Sequence, residues 1–327
     1  MYNNSSDCNM TNVRYPLFKI TYSLVLALGL PLNLTALWMF VRRIGLRKSV
    51  PVIYMTNLAL SDLLFILTLP FRIMYFYMGC WTLGDVACMI PGTLFTVNIY
   101  SSSFFIMLVS VDRMLAVAYP LRSRHIRTQT VAWVSCLTVW LVTGAMAVPV
   151  ALNHRSNFDN SCNVYRCFEN YNEKNWPVIF YILCTATIVG VFIPFCIIVG
   201  CTVMVVRQLR GMAETSTETC TSSQRIVKMV WLLLSNLLIY AICFFPFHVV
   251  TILYALYKLK YLQYDYLTVQ SITLCLASTN SCLDPLVFYF STRNLQRKGS
   301  IDIQKREPRT SQSYYPISLK GVPNDEG

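Results

Sequence analysis

Charged side chains are scarce in this 327-residue sequence. They make up 13% of the residues, whereas soluble domains carry about 25%. Hydrophobic residues reach 55%. A soluble enzyme of this length could not cover its surface with so few charges, and a disordered chain would not be so apolar. Glycine is also sparse, at 12 residues without a fixed period, which excludes collagen-like and repeat architectures.

Histidine is rarer still, with only His125, His154 and His248. They are scattered over two loops and one apolar run, so we find no nucleophile–base pair and no metal site. The sequence therefore predicts that the protein is not an enzyme and needs no cofactor, a structural sodium ion excepted.

The net charge of +12 would indicate binding to nucleic acid in a soluble protein. Here the basic residues cluster between apolar runs, so we predict membrane lipids and no nucleic acid as partners.

Seven apolar runs are long enough to cross a bilayer, which takes about 20 residues. The sequence predicts an all-α fold, a seven-transmembrane helix bundle with a short amphipathic helix after the seventh span. The predicted domains are an extracellular N-terminus (1–16), the bundle (17–290), an amphipathic membrane-surface helix (291–300) and a cytoplasmic tail (301–327). The runs are 17–41, 50–78, 86–118, 130–150, 176–206, 226–257 and 266–290.

The basic residues are distributed unequally between the two ends of these runs. Nineteen Lys and Arg residues flank the ends that follow runs one, three, five and seven, and seven lie on the other side. Cytoplasmic loops carry the excess of positive charge, so the N-terminus is expected outside the cell and the C-terminus inside. Glycosylation sequons at Asn3, Asn4 and Asn9 agree with a multi-pass plasma-membrane protein of this orientation.

Five of the 13 cysteines fall on the predicted outer side, where disulfides persist. Five thiols allow two bridges with one cysteine left over, and the sequence alone leaves the pairing open. The five are Cys8, Cys80, Cys88, Cys162 and Cys167.

Three acidic residues lie inside or at the end of the spans, where ionisable groups are costly and therefore functional candidates. Asp62 and Asp284 together favour a cation or water site, because two carboxylates in lipid need a counter-charge. The alternative to such a site is that these side chains form interhelical hydrogen bonds that hold the bundle together. Asp112 lies at the cytoplasmic boundary, where it can hold the adjacent Arg113 in a closed arrangement.

Arg72 is a basic residue inside the second apolar run. It follows Asp62 by ten residues, roughly 15 Å of helix, which places it in the outer third of the membrane. Its side chain could extend to the lipid head groups. We favour a ligand-binding role, because Pro70 just before it can bend the helix and open a space there.

Transporters and proton pumps, like receptors, can have acidic residues inside the membrane. A transporter or proton pump shares the intramembrane carboxylates, but the two halves of the chain show no repeat symmetry.

Prolines at 149, 194, 246 and 285 interrupt runs four to seven, and each predicts a kink or hinge. Kinked spans are typical of a bundle that changes shape.

The residues described above, taken in their order along the chain, match the pattern of a known family. The chain resembles the rhodopsin-like (class A) G-protein-coupled receptors from run one to the basic stretch after run seven. The matching pieces are Gly29-Leu-Pro-Leu-Asn33, Asn57-Leu-Ala-Leu-Ser-Asp62, Trp81, Cys88, Asp112-Arg113-Met114, Tyr119-Pro120-Leu121, Trp140 with Pro149, Pro194, Cys243-Phe-Phe-Pro246 and Asp284-Pro285-Leu-Val-Phe-Tyr289.

The resemblance implies roles for particular residues. It implies a Cys88–Cys167 disulfide, and we predict a second bridge from Cys8 to Cys162, with Cys80 as the rival partner. Met114 and Phe244 depart from the family's usual Tyr and Trp. The implied sodium pocket is Asp62, Asn98, Ser102, Asn280 and Asp284. The implied G-protein coupling and switch residues are Asp112, Arg113, Tyr289, Phe244 and Pro246.

Two positions exclude whole classes of ligand. Phe95 occupies the place where amine receptors carry an Asp, and Thr251 the place where nucleotide receptors of this branch carry a basic residue. An apolar cleft with a cationic rim suits a molecule with a hydrocarbon tail and an anionic head. The predicted ligand-binding residues are Arg72, Arg166, Lys258, Lys260, Lys19, Phe95, Phe71, Tyr75 and His248, with Arg14 as a further rim cation.

Within this family the chain is most similar to the purinergic-like lysophosphatidic acid receptors, types five and six. The likeness lies in Leu69-Pro-Phe-Arg-Ile73, Ser123-Arg-His-Ile-Arg127 and Cys167-Phe-Glu-Asn170, and in the stretch from Tyr22 to Asn33. It implies a receptor for a lysophospholipid, lysophosphatidic acid above all, that signals through heterotrimeric G proteins of the twelve/thirteen class and activates Rho. The alternatives are another lipid, a peptide or a small anionic ligand and, more distantly, a membrane transporter.

Overall fold

The structure is a computed structural model that describes residues 13–46, 49–153, 155–160, 162–168, 176–215 and 220–306. Its helices are α1 (Arg14–Trp38), α2 (Val50–Ile66), α3 (Leu69–Met78), α4 (Gly84–Ala118), α5 (Gln129–Asn153), α6 (Trp176–Thr187), α7 (Ile193–Thr215), α8 (Cys220–Lys258) and α9 (Leu267–Arg306). π-Helical turns cover Met39–Ile44 and Ile188–Phe192, and a 3-10 turn covers Arg122–His125. The two short strands are β1 (Asn157–Asp159) and β2 (Val164–Arg166).

In the part of the chain that the structure describes, these helices form seven spans and confirm the predicted all-α bundle. The second span is divided, because α2 ends at Ile66 and α3 begins at Leu69. Pro70 has no amide hydrogen to donate to the carbonyl of Ile66, four residues earlier. The break occurs where the sequence predicts a bend, two residues before Arg72.

The outer surfaces of the helices are apolar. On α5, Trp133, Leu137 and Leu141 follow one another at four-residue spacing and are 46%, 60% and 66% exposed. Such a stripe faces lipid rather than water. Within the described ranges, six spans are long and apolar enough to cross a membrane, and the seventh, in α9, carries more Ser, Thr and Asn. The protein is therefore a multi-pass membrane protein.

Helix α4 lies at the centre of the bundle, where it contacts α2, α5, α7 and α8. Gly190, in the π-helical turn between α6 and α7, lies against the Tyr100 ring of α4, and a Cβ atom there would overlap that ring. The Gly190 carbonyl also accepts a hydrogen bond from the Ser103 hydroxyl, at 2.6 Å. The absence of a side chain at 190 allows this close approach of the two spans.

Strands β1 and β2 pair antiparallel, with Phe158 opposite Tyr165. Two links fix this hairpin to the bundle. A disulfide joins Cys88 at the start of α4 to Cys167, with Cα atoms 5.9 Å apart, which confirms the implied pairing. The amide of Trp81 donates to the carbonyl of Tyr165 at 2.8 Å. The hairpin therefore covers the end of the bundle at which α4 begins.

The remaining outer cysteines fit a second bridge. Cys162 is also disulfide-bonded, whereas Cys80, the rival partner, is a free thiol. Cys8 lies outside the described residues, as do Asn3, Asn4 and Asn9, so the Cys8–Cys162 bridge and the glycosylation sites stay predictions.

The chain divides into two units after Ser291, and the described part of the second unit is residues 292–306 of α9. The predicted membrane-surface position of 291–300 and the cytoplasmic position of the tail stay predictions.

Candidate functional site

A cavity of about 230 Å³ opens among the helices on the hairpin side of the bundle. Most of its lining is aliphatic or aromatic, as expected of a site for an apolar ligand. Apolar lining residues include Phe18, Phe76, Phe95, Ile99, Trp176 and Leu183.

Arg72 of α3 is the buried cation of this cavity. Its side chain turns inward, and the residue is only 4% exposed. Nη2 donates to the carbonyl of Pro91 in α4 at 3.1 Å, while Nε has no hydrogen-bond partner in the described part of the chain. No carboxylate forms an ion pair with Arg72 in the described ranges. A buried charge without a counter-ion is costly, so an anion in the cavity would offset that cost.

Three aromatic rings surround the guanidinium of Arg72. Its Cζ atom lies 4.7 Å from the ring centre of Phe168, 5.4 Å from Phe95 and 5.8 Å from Tyr22. The negative faces of the rings attract the cation, by about 0.5 to 2 kcal/mol each. They hold it in place without neutralising its charge, so the positive potential remains available to a ligand.

The hairpin places Phe168 over Arg72. Phe168 directly follows Cys167 of the disulfide and adopts a left-handed backbone, with φ of 71°. Its ring packs edge-on against Tyr75 and Trp81, each at 5.6 Å between centres. Phe168 was not among the residues predicted from the sequence to bind a ligand, although its position next to the disulfide cysteine was a signal for it.

Of the other predicted pocket residues, the structure brings Phe95 and His248 to the cavity and leaves two outside its lining. Tyr75 is buried behind Phe168. Phe71 is 41% exposed, since it follows the break in the second span and turns away from the cavity that Arg72 lines.

Arg166 lies in β2, outside the cavity lining. It forms an ion pair with Asp159 of β1, with Nε and Oδ2 3.1 Å apart. Its Nη1 also donates to the hydroxyl of Tyr15 at 2.7 Å. These contacts join α1 to the hairpin, so Arg166 organises the cover of the cavity, and its role as a ligand-binding residue stays a prediction.

The three predicted rim lysines also lie outside the cavity lining. Lys258 and Lys260 are exposed at the end of α8, and Lys258 Nζ lies 5.4 Å from the ring centre of Tyr254, which does line the cavity. Lys19 Nζ lies 4.9 Å from the ring centre of Tyr77. The structure therefore places these lysines around the site and not against the enclosed space.

A second cation, Arg14, does line the cavity. Its Nε donates to the hydroxyl of Ser271 in α9 at 3.0 Å. Tyr22 and Trp176 also line the cavity, and the sequence analysis did not assign either a ligand role. The four-residue spacing of Phe18 and Tyr22 on one face of α1 was the available signal for Tyr22.

Deeper in the bundle, the structure brings together the predicted sodium-pocket residues in two hydrogen-bonded groups. Asn98 Nδ2 donates to Asp62 Oδ1 at 2.9 Å and to Ser102 Oγ at 3.4 Å. Asn280 Nδ2 donates to Asp284 Oδ2 at 2.8 Å. The Oδ1 atom of Asn280 is buried and has no hydrogen-bond partner within the described segments. Carboxylate, amide and hydroxyl oxygens are the ligands of hard cations, so this donor set fits a sodium ion.

At the opposite end of the bundle, Asp112 pairs mainly with Arg127. Arg127 donates to the two carboxylate oxygens at 2.8 and 3.2 Å, whereas Arg113 Nε is 4.0 Å from Asp112. Arg127 therefore makes the close contact that was predicted for Arg113, because the chain after α4 folds back and the Arg127 amide donates to the Ser123 carbonyl. The closed arrangement itself stays a prediction.

The other predicted switch residues lie on α8 and α9. Phe244 is buried and its ring centre is 5.1 Å from that of Tyr240. Pro246 lies within α8. The side chain of Tyr289 is outside the described part of the structure. The switch roles of these residues stay predictions.

Comparison with known proteins identifies the family. The model of the 7 transmembrane receptor (rhodopsin family) matches residues 32–288. Lysophosphatidic acid receptor 6 of Gallus gallus is 37% identical, over 88% of this chain and 94% of the relative. Lysophosphatidic acid receptor 4 of Homo sapiens is 35% identical, over 94% and 83% respectively. Lysophosphatidic acid receptor 5 of Mus musculus is 38% identical, over 86% and 76%. The chain belongs to the rhodopsin family of seven-transmembrane receptors.

Proposed function

We propose that this protein is a plasma-membrane receptor for lysophosphatidic acid that signals through heterotrimeric G proteins. As a member of a receptor family, it is not an enzyme. The proposal concerns its ligand, its orientation and its signalling partner.

The burial of Arg72 is the observation that carries the proposed ligand. A guanidinium that is 4% exposed, has no ion-pair partner within the described residues and lines an apolar cavity favours an anionic ligand. A phosphate monoester carries about 1.5 to 2 negative charges at pH 7 and can accept several hydrogen bonds from a guanidinium. The free Nε of Arg72 is available for one of them.

The rest of the cavity fits the other half of such a molecule. Phe95, Ile99 and Leu183 offer no charged group, so they would bury a hydrocarbon chain favourably, at about 0.8 kcal/mol for each methylene. An inorganic anion or a polyphosphate would leave this surface without a partner. Three similar receptors are named for lysophosphatidic acid, which supports the same ligand class for this chain.

We place the cavity on the extracellular side and the Asp112–Arg127 pair in the cytoplasm. The excess of basic residues in the loops after spans one, three, five and seven supports this orientation. The Cys88–Cys167 disulfide at the cavity end agrees, since disulfides persist outside the cell. Ligand binding would shift a two-state bundle so that its cytoplasmic end engages a G protein, of the twelve/thirteen class by resemblance.

We also propose that a sodium ion binds between Asp62 and Asp284. The supporting observation is that Asn98 donates to the buried Asp62 and to Ser102, and that Asn280 donates to the buried Asp284. A bound cation would supply the positive charge that they lack.

The test of the ligand is a panel of lipids applied to cells that express the receptor. Oleoyl lysophosphatidic acid should evoke a G-protein response, whereas monooleoylglycerol, which has the same tail without the phosphate, should not. Untransfected cells of the same line are the control. An equal response to both lipids would contradict the proposal, and so would a response to a peptide with none to the lipids.

The contribution of each cation can be separated in the same assay. Arg72→Ala should weaken the response most, because it removes the buried charge. Lys258→Ala and Lys260→Ala, at exposed positions around the site, should weaken it less. Surface expression of every variant has to be measured in parallel, so that loss of folding is not mistaken for loss of binding.

A further inference from the structure

The cavity contains a second polar position besides Arg72, formed by two residues of α8. His248 and Thr251 both line the cavity. They are three residues apart and therefore lie on the same face of the helix. Neither carries a formal charge when His248 is neutral, so they would recognise a neutral polar group rather than the phosphate.

One ring nitrogen of His248 is already engaged. Nδ1 lies 2.9 Å from the carbonyl oxygen of Phe244. A carbonyl can only accept, so Nδ1 carries the hydrogen, and in the neutral ring Nε2 is an acceptor. Nε2 forms no hydrogen bond with the part of the chain that the structure describes. His248 therefore offers a fixed acceptor at the cavity.

The hydroxyl of Thr251 is unusual for a threonine in this bundle. Thr56, Thr143 and Thr202 donate to the carbonyl four residues earlier, at 2.7 to 2.8 Å, as is common within helices. The Thr251 hydroxyl makes no such bond and is buried without a hydrogen-bond partner among the residues that the structure describes. Burial of an unpaired hydroxyl is costly, so this group is available to a ligand.

We infer that His248 and Thr251 bind the free hydroxyl group of the lysophospholipid backbone. A hydroxyl both donates and accepts, so it can donate to His248 Nε2 and accept from the hydroxyl of Thr251. An ester or ether oxygen only accepts and would leave Nε2 unpaired. A chain of ring contacts connects His248 to the phosphate site, from Arg72 to Phe95 at 5.4 Å, from Phe95 to Phe247 at 5.9 Å and from Phe247 to His248 at 5.1 Å.

This inference rests on the proposed function, because it assigns the part of the same ligand that lies between its head and its tail. It predicts that the receptor distinguishes lipids that have this hydroxyl from lipids that lack it. The probes are 1-oleoyl-glycerol 3-phosphate, which has the hydroxyl, and oleoyl propanediol phosphate, which differs only in lacking it.

The experiment measures the binding of both probes to the intact receptor and to three variants. The native receptor should prefer the hydroxyl-bearing lipid about tenfold. Thr251→Val keeps the shape of the side chain and removes its hydroxyl, so the preference should fall to about twofold or less. Thr251→Ser restores the hydroxyl and should restore the preference. Arg72→Gln should weaken both lipids by a similar factor and leave their ratio unchanged.

Two results would overturn the inference: equal affinity of the native receptor for the two probes, and a full tenfold preference in Thr251→Val. His248→Phe provides an independent check, since it should also abolish the preference without removing the phosphate site. Failure of the proposed function would look different, because neither probe would then bind to the native receptor or be weakened by Arg72→Gln.

Discussion

The guanidinium of Arg72 lies 4.7 Å from the centre of the Phe168 ring, so the residue that follows the hairpin and its disulfide cysteine directly contacts the buried cation of the bundle. Phe168 follows the disulfide cysteine Cys167. The bridge from Cys167 to Cys88 attaches this segment to the start of α4. The cover of the cavity and its charged residue are therefore one structural unit. A change in the hairpin should alter ligand binding even where it leaves the helices intact.

Phe168→Leu tests this contact. Leucine keeps an apolar side chain but has no ring to face the cation, so Arg72 should be held less firmly. We expect lysophosphatidic acid to lose about tenfold in affinity, the size of one buried cation–π contact. The measurement is competition binding on membranes that contain equal amounts of receptor.

Phe158→Leu is the matched control for Phe168→Leu. Phe158 also lies in the hairpin, but it is 47% exposed and its ring packs against Tyr165. Its replacement should leave the affinity unchanged. Equal losses in the two variants would show that the hairpin acts through its overall stability and not through the contact with Arg72.

The pair of Arg127 and Asp112 makes a second prediction. Because the two hydrogen bonds hold the loop after α4 against the end of that helix, they should stabilise the closed cytoplasmic arrangement. Arg127→Gln should raise ligand-independent signalling severalfold, since charge-assisted hydrogen bonds contribute about 1.5 to 3 kcal/mol. The measurement is basal G-protein activation at matched surface expression.

Arg124→Gln provides the comparison for this prediction, because Arg124 is an exposed cation of the same loop without an ion pair among the described residues. It should leave basal signalling unchanged. If Arg127→Gln signals no more than Arg124→Gln in the absence of ligand, the pair has no role in holding the closed arrangement.

The proposed sodium site predicts a salt-specific stabilisation. An ion that binds the folded receptor and not the unfolded chain raises the unfolding temperature. Sodium chloride should therefore raise the unfolding temperature of the purified receptor above its value in choline chloride at the same ionic strength. Asp62→Asn should remove the difference, because it removes a carboxylate from the group that includes Asn98. Identical curves for the native receptor in both salts would contradict the site.

Gly190 predicts a packing effect that is independent of any ligand. Gly190→Ala would place a methyl group against the Tyr100 ring, and overpacking of this kind costs about 1 to 3 kcal/mol. We expect reduced surface expression and a lower unfolding temperature. Gly200→Ala is the control, because nothing lies within 4 Å of a Cβ atom at that position. Equal stability of the two variants would show that the interface between α4 and the π-helical turn adapts freely.

The features that the sequence predicted well depend on the membrane itself. Spans of about 20 apolar residues leave few alternatives to helices, since every backbone group must be satisfied inside the lipid. The same reasoning identified Arg72, because an arginine within an apolar run needs an explanation. The bend before Arg72 was predicted from Pro70, because proline has no amide hydrogen and a neighbouring residue cannot supply one.

The parts that the sequence did not predict depend on loop paths and side-chain directions. Phe168 reaches the cavity only through a left-handed backbone after the disulfide, and residue spacing gives no indication of that turn. Arg166 and Lys258 have suitable charge and position along the chain, yet both lie outside the cavity lining. Charge and order along the chain therefore identified the kind of site, and the geometry identified which residues form it.

The most direct test of the central claim is equilibrium binding of labelled lysophosphatidic acid to the purified receptor, to Arg72→Ala and to Arg155→Ala. Arg155 is an exposed cation of the outer loop, so its variant should bind as the native receptor does. Removal of the buried cation should weaken binding by about a hundredfold or more, since it removes several charge-assisted hydrogen bonds to the phosphate. If Arg72→Ala is as folded as Arg155→Ala and binds the lipid with native affinity, the proposed phosphate site is wrong.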